Sequence, residues 1–243
     1  MPFGRSSVVN FDPIRQKRGE ENSWISKLLV SRWYGGKAPN KTDPFGLYLI
    51  CGKQRQGKTV HMVWRALMLK RKYEKAGKKV IIYSNLPLEG IEHEYLDFAN
   101  FAKILYSLKA EGDEVRIVLC DEMQIYFPRD TKDKEKQARM GELLDVLCQL
   151  GKRRIYLLAT SQVYGRVDKS MREQALYMVD VKRGMFSGKI RASYILGDDI
   201  VVDDLGRWSG RAHRILIHGL PKSASFNTRH IITSLPPRQA KAA

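Results

Sequence analysis

At 243 residues, 43% of them hydrophobic and four of them Trp, the chain is long and apolar enough for one sizeable core, so one α/β domain with short appendages is expected rather than a disordered or fibrous chain. No window approaches 18 uninterrupted apolar residues, and MPFGRSSVVNFDPIRQKRG lacks the apolar centre of a secretory leader; the expectation is a cytoplasmic chain with no transmembrane helix or signal peptide. A net charge of +17 points to a polyanionic partner, nucleic acid before an anionic membrane surface, against the bland alternative of solvated lysines.

Residues 1–42 read as a basic N-terminal approach and linker. They hold one amphipathic piece, NSWISKLLVSRWY, and then GGKAPNKTDP, which has linker chemistry. The core is expected over 43–175. It opens with FGLYLI, a short buried strand announced by the Asp43-Pro44 turn. GKQRQGKT follows at once, and then a helix from Lys58 with apolar residues at Val60, Val63, Leu67 and Met68 and a glycine stop at Gly77.

GxxxxGK[ST] arises by accident in about one chain per hundred of this length. A strand before it and a helix after it are the context a phosphate loop needs, because backbone N–H groups and the positive helix end then converge on an anion. In that reading Gly52 and Gly57 permit the turn, and Gln56 belongs to the loop that wraps the phosphates. Lys58 reaches the β/γ-phosphates of ATP and the Thr59 hydroxyl ligates Mg²⁺. A glycine turn that binds nothing is the alternative.

KKVIIYSNLP then predicts a second strand, and YLDFANFAKILYSLKAEG a helix with Phe98, Phe101, Ile104, Leu105 and Leu108 on one face. The run KRKYEKAGKK before them reads as a solvated helix end, with DNA contact the lesser alternative. RIVLCDE is a third strand ending in two acids. It places Asp121 and Glu122 at the carboxyl edge of the sheet, where the phosphate loop also lies. Asp121 would hold the Mg²⁺ shell and Glu122 would polarise an attacking water; ordinary solvated strand-end acids are the alternative.

GELLDVLCQLGKRR predicts a further helix stopped at Gly151, and IYLLATSQ a fourth strand whose terminal Gln162 could bond the γ-phosphate or the water. The alternation argues a parallel sheet covered by helices on both faces. Beyond residue 175 the pattern changes to YMVDVKR, KIRASYIL, DIVVDD, RILIHG and RHIITSL, so 176–243 read as a small β-rich C-terminal extension of the same domain. Cys51, Cys120 and Cys148 lack zinc-type spacing and read as buried thiols; the five His lack HxxxH or HExxH spacing and read as satisfied or exposed.

LCDEMQIYFPRD followed by GKRRIYLLATSQVYGRVDKSMREQA resembles the N-terminal ATPase domain of the zonular occludens toxin (Zot) family and the filamentous-phage assembly proteins. The shared pattern is Asp121, Glu122, Gln124, Phe127-Pro128-Arg129, the basic stretch Lys152–Arg154, Gln162, Asp168 and Arg172, within residues 45–185, and FNTRH echoes a later motif. More broadly the chain is similar to the FtsK/HerA class of P-loop ATPases, which includes viral genome-packaging ATPases.

The resemblance implies a P-loop NTPase fold in which the Gln162 strand lies between the phosphate-loop strand and the Asp-Glu strand. It also implies ATP and Mg²⁺ as cofactors, DNA as track, and a homo-oligomeric ring in which an arginine reaches a neighbouring site. Arg153 and Arg154 are favoured for that arginine over Arg166 and Arg172. The loop departs from the common Gly-Ser-Gly-Lys-Ser form with Gln54-Arg55-Gln56, and no transmembrane segment follows the ATPase region; the second departure favours a soluble motor over membrane-spanning export. The function expected is an ATP-driven DNA-translocating or packaging motor of a virus or mobile element. It would act in the cytoplasm of an infected or element-carrying host, free or peripheral to a membrane or virion, with phage structural or membrane proteins as further partners. The rivals are a small-molecule P-loop phosphotransferase and an ATP-bound assembly or secretion module that binds a protein.

Overall fold

The computed structural model describes residues 8–10, 44–96, 101, 105, 114–127, 134–184, 189–202, 208–217, 220 and 224–226. In chain order, strand β1 (Val8–Asn10) is followed by β2 (Gly46–Cys51), helix α1 (Lys58–Lys75), β3 (Val80–Ser84), β4 (Leu88–Glu89), β5 (Glu94–Tyr95) and β6 (Val115–Cys120). Then come α2 (Met123–Tyr126), α3 (Lys134–Leu147), β7 (Ile155–Ser161), α4 (Lys169–Glu173), β8 (Ala175–Arg183) and β9 (Ile190–Leu196). The series closes with β10 (Val201–Val202), β11 (Trp208–Ser209), β12 (Ala212–Ile217) and β13 (Ser225–Phe226).

Nine strands form one sheet in the order β1-β12-β9-β8-β2-β7-β6-β3-β5. From β8 to β5 every pairing is parallel, and β9 then pairs antiparallel with both β8 and β12. β7, which Gln162 directly follows, lies between β2 and β6, the strand order implied by the resemblance. The β-rich C-terminal segment is continuous with this sheet, because β8 pairs directly with β2.

Every residue of β2, β6 and β7 is buried, as expected of central parallel strands closed on both faces. Tyr48, Ile50, Tyr156 and Leu158 point to the face covered by α1 through Met62, Trp64, Leu69 and Tyr73. Leu47, Leu49, Leu157 and Ala159 point to the other face, where Leu143 and Val146 of α3, Met171 of α4, and the helical residues Phe101 and Leu105 cover them. Each Leu, Ile, Val, Met or Phe among them contributes about 1.5–3 kcal/mol when fully buried.

α1 ends as expected. Gly77 takes φ 72°, and the N–H groups of Gly77 and Lys78 donate to the carbonyls of Glu74 and Tyr73, the paired bonds that a left-handed glycine permits. Its buried surface is wider than the predicted stripe. Val60, Leu67 and Met68 are only partly buried, whereas His61, Met62, Trp64 and Leu69 are fully enclosed. The reason is a second cover from β9, where the Tyr194 hydroxyl lies 2.9 Å from His61 Nε2. Burial, helped by Arg65, pushes the His61 imidazole down to about 3, so it is neutral.

α3 starts seven residues earlier than predicted and stops before Cys148, because KEKQARM is a run of strong helix formers that an apolar-periodicity reading passes over. Cys51 and Cys120 are buried, but Cys148 is exposed, just beyond the end of α3. The amphipathic piece at 22–34, the linker at 35–42, RHIITSL, FNTRH beyond Phe226, and most of the helix predicted over 95–112 lie outside the described residues; Glu94–Tyr95 at the start of that segment is strand β5. Among the described residues, no helix is long and apolar enough to cross a membrane.

Candidate nucleotide site

The carboxyl ends of β2, β3, β6 and β7 open onto one edge, and the phosphate loop leaves β2 there. Two glycines make its path possible. A Cβ on Gly52 would stand 2.5 Å from the Val181 carbonyl oxygen of β8, and Gly57, at φ 91°, packs so closely on Ile190 of β9 that a Cβ would meet its Cδ1 at 2.5 Å. Only glycine allows the loop to press against the two strands this tightly. Arg55, at φ 60°, completes the turn. Gly57 caps α1, its carbonyl accepting from His61 N–H at 2.9 Å.

Lys58, 6% exposed, donates from Nζ to the Lys53 carbonyl at 3.2 Å. The ammonium is thus held inside the loop by one of the loop's own oxygens. The Thr59 hydroxyl donates to the Asp121 carboxylate, at 3.1 Å to Oδ1 and 3.3 Å to Oδ2. Burial raises the Asp121 carboxyl above its ordinary value, against hydrogen bonds from Thr160 and Thr59 that lower it. A hydroxyl and one buried carboxylate meeting beside a lysine form a donor set suited to Mg²⁺, which takes one or two protein oxygens and completes its shell with phosphates and water.

Two residues that the sequence reading did not single out hold this corner together. Asn85, just beyond β3, grips the Asp121 backbone from both sides: its Oδ1 accepts from Asp121 N–H at 2.8 Å and its Nδ2 donates to the Asp121 carbonyl at 2.9 Å. The Asn85 Nδ2 also donates to the Tyr126 hydroxyl at 2.9 Å. Thr160 uses one hydroxyl twice, donating to Asp121 Oδ1 at 2.6 Å and accepting from Glu122 N–H at 2.9 Å. Both were visible as polar residues interrupting apolar strands near the edge where the motifs end, YSN and ATSQ.

Glu122 sits in the left-handed region at φ 53°, a conformation that costs a non-glycine residue on the order of 1–3 kcal/mol and persists only where its surroundings impose it. Here the Thr160 bond and the turn into α2 impose it. The backbone reversal directs the carboxylate to Gln162, whose Nε2 donates to Oε2 at 3.2 Å, and to Gln124, whose Nε2 donates to the same oxygen. Asp121 and Glu122 are therefore adjacent in sequence but differently employed, one facing Thr59 and the other two amides.

Gln56 turns its side chain away from the loop interior, its Oε1 accepting from the Arg183 N–H of β8 at 2.7 Å. Arg153 and Arg154 are not brought to this edge. They precede Ile155, at the amino end of β7, roughly 25 Å along the strand from Gln162. Arg153 donates from Nε and Nη2 to Gln149, and Arg154, at φ 54°, forms the turn into the strand. Arg172 stacks its guanidinium on the Tyr164 ring at 4.6 Å. Burial, with Asp180, pushes the Cys51 thiol up to about 12, while Lys58 and Arg172 oppose it.

Replacing Thr160 by Val removes the bond to Asp121 and leaves the Glu122 N–H without its acceptor. The expected loss of unfolding free energy is about 1–3 kcal/mol. Denaturant titration of Thr160→Val beside Thr160→Ser checks it: equal loss in both variants would show that the hydroxyl is not what matters.

No family model matches the chain, and no curated protein matches it. Among solved structures it is similar to the N-terminal domain of zonular occludens toxin from Neisseria meningitidis, at 17% identity and a TM-score of 0.50, over 70% of this chain and 94% of that one. It is also similar to the genome packaging NTPase B204 from Sulfolobus turreted icosahedral virus 2 in complex with ATP-gammaS, at 11% identity and a TM-score of 0.48, over 72% of this chain and 100% of that one. At such identities the likeness is one of fold. The chain has a P-loop NTPase fold: a mostly parallel sheet with helices on both faces, extended by antiparallel strands.

Proposed function

We propose that the chain is an ATP-hydrolysing motor that translocates or packages DNA for a virus or other mobile element. The observation that carries this reading is the Glu122 carboxylate, next in sequence to the Asp121 that Thr59 bonds, in hydrogen-bond contact with Gln162. Hydrolysis needs a base for water at the γ-phosphate, whereas transfer to a substrate hydroxyl needs a pocket for that substrate.

In this reading the loop from Gly52 to Gly57 cradles the phosphates with its amides. Gln56 contributes backbone to the cradle while its side chain ties the loop to β8. Lys58 exchanges the Lys53 carbonyl for the β/γ-phosphate oxygens, gaining charge for a neutral acceptor. Thr59 and Asp121 would hold Mg²⁺, which supplies neutralisation of the charge that develops on the phosphates. Glu122 accepts the proton of the attacking water. Gln162, bonded to that carboxylate, positions the water and carries the state of the γ-phosphate into β7.

Arg153 and Arg154, at the opposite edge of their own sheet, can assist only a neighbouring subunit's site, which is the reason for proposing a homo-oligomeric ring. Viral structural or membrane proteins would dock on it, in the cytoplasm of the host. The basic balance of the chain, +17, suits a phosphodiester track.

The test is steady-state phosphate release with and without single- and double-stranded DNA. Turnover several-fold higher with one of the two is expected. Neither binding nor stimulation by DNA at low salt would favour the phosphotransferase or the assembly module instead.

A further inference from the structure

β8 and β9 form a hairpin that runs past the end of β2 and over the phosphate loop. Cys51, the last residue of β2, pairs with Asp180, so Val181, Lys182 and Arg183 extend beyond the strand they pair with. The loop is bound to this projecting part at three points: Gly52 against the Val181 carbonyl, Gly57 against Ile190, and Gln56 Oε1 accepting from Arg183 N–H at 2.7 Å.

The projecting part is basic. From Asp180 to Arg191 it carries Lys182, Arg183, Lys189 and Arg191 against a single carboxylate. Lys182 stands directly opposite Arg191 in the ladder, and both are exposed. Like charges facing each other across a hairpin destabilise it. The carboxylate at hand, Asp180, pairs with Lys182 at 2.8 Å, and the Lys182 side chain remains 61% exposed. Alternation places Lys182 and Arg191 on the face away from α1, while Arg183 shares the α1 side with Ile190.

We propose that the β8–β9 hairpin is the surface that grips the DNA backbone, with Lys182 and Arg191 as paired phosphate contacts. A phosphodiester chain is the partner that relieves the facing cations, and the three contacts with the phosphate loop give nucleotide state a short route to the grip. The inference rests on the motor reading above and adds to it where the track is held.

The experiment compares wild type, Lys182→Gln/Arg191→Gln and the charge-preserving Lys182→Arg/Arg191→Lys for binding of a labelled DNA duplex and single strand across a salt series. A fluorescent ATP analogue and denaturant unfolding serve as controls for the site and the fold. The expected result is about tenfold or greater loss of DNA affinity in the Gln pair and a salt slope shallower by about two, with recovery in the charge-preserving pair. ATP-analogue affinity should stay within about twofold in all three, since neither side chain faces the loop interior. Unchanged DNA affinity and slope in the Gln pair would overturn the inference and leave the motor reading standing. Wild type that binds neither DNA at low salt would overturn both. Loss of binding to phosphatidylserine vesicles with DNA binding intact would assign the hairpin to a membrane surface and overturn it as well.

Discussion

Glu122→Gln is expected to bind ATP as wild type does and to hydrolyse it slower by about 10² to 10⁴, the range for losing a general base. The substitution keeps the size of the side chain and an oxygen that can accept from Gln162 and Gln124, so the corner at Thr160 and the left-handed backbone at 122 stay in place. Only the ability to take a proton is removed. In the motor reading the trapped ATP state also holds DNA, through contacts that weaken steeply with salt because each phosphate contact releases counterions. Single-turnover hydrolysis with a parallel DNA titration checks both halves. Turnover within about threefold of wild type would remove Glu122 from the chemistry.

Lys58→Ala is expected to lose ATP affinity by about 10- to 200-fold, the equivalent of one charge-assisted bond to phosphate. The fold should survive, because the ammonium holds one carbonyl of its own loop, Lys53, and the helix start is kept by Gly57 and His61. Isothermal titration with ATP and an unfolding curve separate the two effects. ATP affinity equal to wild type in a folded variant would sink the phosphate-loop reading, and with it every role assigned to Thr59 and Asp121.

Local chemistry made much of this site legible before any coordinates. A glycine loop between an apolar strand and a helix, and an apolar strand closing on Asp121-Glu122, each carry their own context within a dozen residues. What was not legible depends on residues distant in sequence. Asn85 reaches Asp121 across 36 positions and Thr160 across 39, and nothing near YSN or ATSQ in the chain says which neighbour they will meet. The buried surface of α1 is wider than its apolar spacing predicts because Tyr194, 133 positions from His61, supplies a second cover. Arg153 and Arg154 are favoured as the arginines that reach a neighbouring subunit's site, and no local pattern says which of the basic residues would do so. Their place at the amino end of β7, away from their own phosphate loop, is compatible with a role in a neighbouring subunit and does not choose between them.

The nine-stranded sheet ends on one side in β5, two residues long, and on the other in β1, three residues long. Edge strands this short offer a second copy almost no ladder of unpaired N–H and C=O groups to continue, a common device against edge-to-edge aggregation. Among the described residues the sheet edges therefore offer little to extend, and in the proposed ring subunits would meet through side chains on helices and loops rather than through a shared sheet. Contacts of that kind are broken and remade at modest cost, which is what a ring needs if its members are to shift against each other once per nucleotide cycle and still remain distinct molecules.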